Sequence, residues 1–138
     1  MNKLSQSIED YLERIYEMIE EKGYARVSDV ADALKVSRPS VSIMVKRLAE
    51  LGYVNYEKYR GLTLTPDGLE VALRIKRRHV TITQFLTLLE LDENVIAKDV
   101  EGIEHHISTE TLARLEAIIA QWKSDPTSLK NILKRKSR

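Results

Sequence analysis

The chain has 138 residues, a net charge of +1 and no cysteine. That length suits one ordinary domain or two small ones, and the lack of cysteine excludes disulfide frameworks and thiolate metal sites. No apolar run reaches the length of a membrane span, and the start has no signal-peptide core, so a soluble cytoplasmic protein with no membrane partner is expected. The small net charge hides two opposed halves. From Lys22 to Arg78 there are 12 Lys/Arg against 6 Asp/Glu, and from Glu90 to Ala120 there are 2 against 8. The basic half suits a polyanion, and the acidic half suits cations or plain solvation.

Most segments have helical periodicity. A first helix is predicted over about 6–21, with Ile8, Tyr11, Leu12, Ile15, Met18 and Ile19 on one stripe and Gly23 as its stop. Ser28 reads as the N-cap of a short second helix carrying Val30, Ala31 and Leu34. Ser37 caps a third, with Pro39 in its first turn and Val41, Met44, Val45 and Leu48 facing inward, up to Gly52. Two short alternating runs, Tyr53-Val54-Asn55-Tyr56 and Leu62-Thr63-Leu64, then predict a hairpin with a charged tip.

Thr65-Pro66-Asp67 starts a long fourth helix reaching about Glu90. Its stripe is Ala72, Ile75, His79, Ile82, Leu86 and Leu89, which points His79 inward. A helix of about 25 residues spans about 40 Å, enough to join two lobes. Further helices are expected over about 92–106 from Asp92, over 109–123 from Ser108, and from Pro126 onward. The fold class is therefore mostly α. It combines an N-terminal winged helix-turn-helix over residues 1–70 with a C-terminal all-helical domain over 71–138, joined by the long helix.

In a helix-turn-helix the second helix of the pair enters the major groove by its N-terminal part. The residues placed there are Ser37, Arg38, Pro39, Ser40, Ser42 and Ile43, with Lys46 and Arg47 a turn further on. Arg38 has the fork that reads a guanine edge, while Ser37, Ser40 and Lys46 suit phosphates. Lys58 and Arg60 on the wing reach the flanking backbone or minor groove.

Six further residues group by spacing. Asp10 and Glu13 share a face of the first helix; Glu101, Glu104 and His105 share a face of another; His79 lies on the stripe of the long helix. If they converge, the bunched carboxylates need a cation, and a set of oxygens with some imidazole and no sulfur suits a hard divalent ion such as manganese. The competing reading is a solvated acidic face, since the acids of the first helix continue through Glu17 and Glu20, with His79 as a hydrogen-bonded core residue.

The sequence resembles the diphtheria toxin repressor family of metal-dependent regulators. The resemblance covers nearly the whole chain. It is densest in residues 9–16, 20–29 and 56–62, and in Asp99-Val100-Glu101-Gly102-Ile103-Glu104-His105-His106. It implies that residues 71–138 are a metal-binding and dimerisation domain, with metal ligation by Asp10, Glu13, His79, Glu101, Glu104 and His105, two Mn(II) ions per subunit, and a homodimer that represses manganese uptake genes from a palindromic operator on double-stranded DNA. It gives His106 no ligand role. The iron-sensing branch has Met where Asp10 stands and Cys where Glu101 stands, so this chain resembles the manganese-responsive branch. Residues 36–42 differ from the relatives, with the proline displaced by one position, and the tail from Asp125 matches poorly. The C-terminal SH3-like domain of the longer iron regulators is not expected.

Rival readings are a metal-independent winged-helix regulator with a small organic effector, a dinuclear metallohydrolase, and a dimeric adaptor. A hydrolase needs a general acid or base beyond the ligands. The chain offers none, so neither an enzyme nor a small-molecule substrate is expected.

Overall fold

Caps and turns set the element boundaries in the computed structural model, which describes residues 4–57 and 60–135. The order is α1 (Gln6–Lys22), α2 (Val27–Leu34), α3 (Arg38–Glu50), β1 (Val54–Glu57), β2 (Gly61–Leu64), α4 (Pro66–Leu88), α5 (Glu93–Ile103), α6 (Thr109–Ser124) and α7 (Pro126–Lys134). The chain divides into two units, Met1–Lys76 and Arg77–Arg138. No helix of the described residues is long and apolar enough to cross a membrane.

In the first unit α1, α2, α3 and the hairpin enclose one core. Ile8, Leu12 and Ile15 from α1 meet Val30 and Ala31 from α2, Val41, Val45 and Leu48 from α3, Leu62 from β2, and Val71 and Ile75 from α4. Each large side chain buried here contributes about 1.5–3 kcal/mol relative to exposure. The strands pair antiparallel with Val54 opposite Leu64 and Glu57 opposite Gly61.

The hairpin is fastened at its base to the turn before α2. Ala25 forms a bridge with Leu62, through hydrogen bonds of 3.2 and 2.7 Å. Gly61 makes this possible, since a Cβ there would stand 2.7 Å from the Ala25 carbonyl oxygen, and its φ is +87°. The same bridge explains a difference from the sequence-based expectation. Helix α2 begins at Val27 with the extended Arg26 as its N-cap, so Ser28 lies inside the first turn and caps nothing. Pairing of Ala25 holds the chain extended up to Arg26, and the helix starts as soon as that constraint ends.

The entry into α4 is also fixed by packing. The Thr65 hydroxyl donates to the Gly52 carbonyl at 2.6 Å and accepts from the Gly68 N–H at 3.0 Å. Gly68 packs so closely on Tyr53 that any Cβ would collide with its carbonyl oxygen. Helix α4 continues through Lys76 into the second unit and ends at Leu88, two residues before the expected end, with Glu90 left-handed at φ 59°.

The second unit has its own smaller core. Ile82 and Leu86 of α4 pack with Val100 of α5, flanked by Phe85, Leu89, Ile96 and Ile107. Phe85 stacks on Trp122 of α6 with centroids 5.8 Å apart. Asp92 caps α5 by accepting from the Asn94 N–H, and Ser108 caps α6 by accepting from the Thr111 N–H.

Candidate nucleic-acid interface and metal centre

Helix α3 is built to present its N-terminal turn. Ser37 accepts the Ser40 N–H at 3.2 Å and donates its own proton to the Ser40 hydroxyl at 2.8 Å. Proline is favoured in the first turn, where its missing N–H costs nothing. Because Val41, Val45 and Leu48 fill the core, the opposite face is left to solvent. Ser37, Arg38, Pro39, Ser40, Ser42, Lys46 and Arg47 are all exposed, where the sequence placed them. The free N–H groups and dipole of a helix start attract phosphate.

On the wing, Arg60 lies 3.6 Å from Glu57, with side chains 84% and 64% exposed. So exposed a pair is weak and leaves the guanidinium available to another anion. Lys58 lies outside the described residues. Arg26, which no sequence pattern singles out, stacks over Tyr24 at 5.0 Å beside the same hairpin base.

The second unit concentrates its unusual chemistry at the end of α5. This helix stops at Ile103 rather than near 106, yet Glu104 keeps helical dihedrals (φ −58°, ψ −27°) and its N–H still bonds the Val100 carbonyl. Residues four apart share a helix face. Val100 faces the core, so Glu104 is carried inward beside it and is 1% exposed. His79 stands one turn before Ile82 on α4, and its Nδ1 is 2.7 Å from Glu104 Oε2. The other oxygen, Oε1, lies 3.5 Å from Nε2 of His105, itself 1% exposed. One buried carboxylate thus sits between two imidazoles.

His79 differs from its expected inward position. Its side chain is 46% exposed, because the part of α4 that carries it lies past the first core and before Ile82. Glu101 is exposed on α5, one turn before Glu104, and His106 is exposed beyond it. In the first unit, Asp10 and Glu13 are half-buried on α1, beside the line of Ile8, Leu12 and Ile15.

A buried carboxylate is unfavourable unless paired or bound to a cation. Oxygen flanked by imidazole nitrogen, without sulfur, fits a divalent metal of intermediate to hard character. A nearby ion pair was not legible in the sequence. The Arg77 guanidinium grips the Glu116 carboxylate with both Nε and Nη2, and the buried Thr81 hydroxyl donates to the same carboxylate at 3.3 Å. It ties α4 to α6 within two residues of His79.

Residues 3–62 match the iron dependent repressor N-terminal DNA binding domain, and residues 65–132 match the iron dependent repressor metal binding and dimerisation domain. A regulator of Geobacillus thermodenitrificans, the HTH-type transcriptional regulator MntR, is 48% identical over 132 residues, covering 94% of each chain. The chain belongs to the iron-dependent repressor family. Among solved structures of the family, the metal-dependent transcriptional regulator MtsR superposes with a TM-score of 0.78 at 30% identity, over 85% of this chain and 55% of that one. The manganese regulator SloR superposes with a TM-score of 0.72 at 33% identity, over 82% of this chain and 53% of that one. The chain therefore spans just over half the length of those two regulators. As a member of that family it pairs a DNA-binding domain with a domain for metal binding and dimerisation, and α3 with its wing and the Glu104 cluster fall one in each.

Proposed function

We propose that this protein is a manganese-responsive transcriptional repressor of the bacterial cytoplasm, which binds a palindromic operator as a homodimer when loaded with Mn(II) and controls manganese uptake genes. The observation that carries the reading is the buried Glu104 carboxylate held between His79 and His105, in the domain matched to metal binding. The relative from Geobacillus named MntR and the manganese regulator SloR support manganese as the ion.

The ligand set assigned is Asp10, Glu13, His79, Glu101, Glu104 and His105, with two ions per subunit. Bound ions would supply positive charge that offsets repulsion among the carboxylates and the cost of burying Glu104. Asp10 and Glu101 set selectivity, since both offer oxygen where the iron-sensing branch offers sulfur. Ligation by Asp10 and Glu13 of α1, together with residues of the second unit, would restrict the orientations of the DNA-binding lobe. The two recognition helices of the dimer would then meet successive major grooves. Ser37, Arg38, Pro39, Ser40, Ser42, Lys46, Lys58 and Arg60 are assigned to DNA. No catalytic residue and no small-molecule substrate are part of the reading.

The test is operator binding at fixed salt, titrated with manganese, iron(II) and zinc, for the natural chain and for Asp10→Met. Binding should disappear with chelator and return with manganese, and the variant should shift its preference toward iron(II). Operator binding unchanged by chelator would overturn the reading in favour of a metal-independent regulator.

A further inference from the structure

The outer face of α3 carries a residue of the wrong polarity for a solvated helix. Ile43 is 72% exposed, more than any other exposed large hydrophobic side chain among the described residues. At 3.6 residues per turn it lies about 200° around the helix from Val41, and so directly opposite the buried line of Val41, Val45 and Leu48. Pro39 is one turn before it on this face and Lys46 and Arg47 are one turn after, all exposed. The outermost ridge of the helix is therefore apolar at its centre and basic at its C-terminal end.

The first-unit core holds Ile8, Leu12, Ile15 and their neighbours without Ile43. Its ethyl and methyl groups are available to a partner. Within a matched DNA-binding domain, with basic side chains flanking it to attract phosphate, the partner these features fit is the floor of a major groove. The only apolar group a base pair presents there is the C5-methyl of thymine. An isoleucine has neither donor nor acceptor, so it gains nothing from the polar edges of guanine, cytosine or adenine and leaves them desolvated.

We infer that Ile43 is a specificity-determining residue that packs on a thymine C5-methyl in each half-site, while Arg38 supplies the polar contact to a neighbouring base. The inference rests on the DNA-binding reading above and deepens it. It assigns to this chain a preference for thymine at the position facing the middle of α3.

The probe is a duplex selected from a random-sequence pool by the full, manganese-loaded protein, then resynthesised with single thymines replaced by deoxyuridine, which removes only the methyl group. For the natural chain, one replacement within a half-site should weaken binding about fourfold, the effect of leaving one methyl unburied. Ile43→Ala should bind the thymine and deoxyuridine duplexes equally, because the partner of the methyl has gone. Its thermal stability should match the natural chain, since the side chain is exposed. Indifference of the natural chain to every replacement, or a methyl effect undiminished in Ile43→Ala, would overturn the inference while leaving the regulator reading intact. A manganese-loaded protein that enriches no sequence would overturn both.

Discussion

His79 Nδ1 and Glu104 Oε2 lie 2.7 Å apart although 25 residues separate them in the chain. Glu104 is carried inward by the last turn of α5, and His79 meets it from α4 one turn before Ile82. Glu104→Gln keeps the shape of this contact and removes the charge. Manganese affinity measured by calorimetry should fall at least about tenfold, since losing even an outer partner of a ligand costs 10–100-fold. The natural chain should gain about 2.7 kcal/mol of stability for each site when manganese is present at 100 times that site's Kd. The variant should gain far less at the same concentration.

Protons compete with a metal ion for imidazole nitrogen. Manganese-dependent DNA binding should therefore weaken as pH falls through the histidine range, and excess manganese should restore it. Fluorescence anisotropy with a labelled operator at several pH values reads both effects. A loss that added manganese does not reverse would assign the pH effect to the DNA interface instead.

Glu116 is held below the usual carboxylate range, chiefly by the hydrogen bond from Arg77, with partial burial opposing. It therefore adds stability above the ordinary carboxylate pKa, and that contribution is lost as pH falls through its lower folded value. Glu116→Gln should be less stable than the natural chain near neutrality and should lose less stability on acidification. The side chains are 49% and 36% exposed, so the difference should be small and should shrink in high salt. Urea midpoints across acid pH and two ionic strengths check the sign.

Packing at the start of α4 leaves no room for a methyl group at Gly68. Gly68→Ala should destabilise the first unit by about 1–3 kcal/mol or more, the usual range for forced overpacking. Ser108→Ala removes only the cap of α6 and should cost about 1 kcal/mol. Chemical denaturation ranks the two.

At the DNA surface, Arg38→Ala should cost about 1–3 kcal/mol and relax preference at one base position. Lys46→Ala should weaken all sequences alike and lower the slope of log affinity against log salt by about 1. Binding isotherms on the selected duplex and on scrambled DNA distinguish the two behaviours.

Short-range chemistry is legible in the amino-acid sequence. Ser37, Asp92 and Ser108 cap the helices they precede, and Val41, Val45 and Leu48 are buried at the spacing their periodicity predicts. Ser28 misleads because the Ala25–Leu62 bridge, a contact 37 residues long in sequence, decides where α2 begins. His79 misleads because a single stripe along α4 suggests one buried face, whereas the helix serves two separate cores and this residue belongs to neither. The spacing of Glu101, Glu104 and His105 is visible, but not that the first is exposed while the other two are buried. That difference comes from their angles to the buried Val100: Glu104 lies four residues on and shares its face, whereas Glu101 is the next residue and turns about 100° away. The Arg77–Glu116 pair has no local signature, because its partners come from helices joined only through α5.

Trp122, stacked on Phe85, is the sole tryptophan, whereas the six tyrosines all fall at or before residue 59. Nature has thus given each unit its own chromophore. Indole emission follows melting of the half that carries Glu104, while phenol absorbance follows the half that carries α3. A single unlabelled sample can be watched in two colours, and whether the halves lose their structure together or in turn becomes an optical measurement.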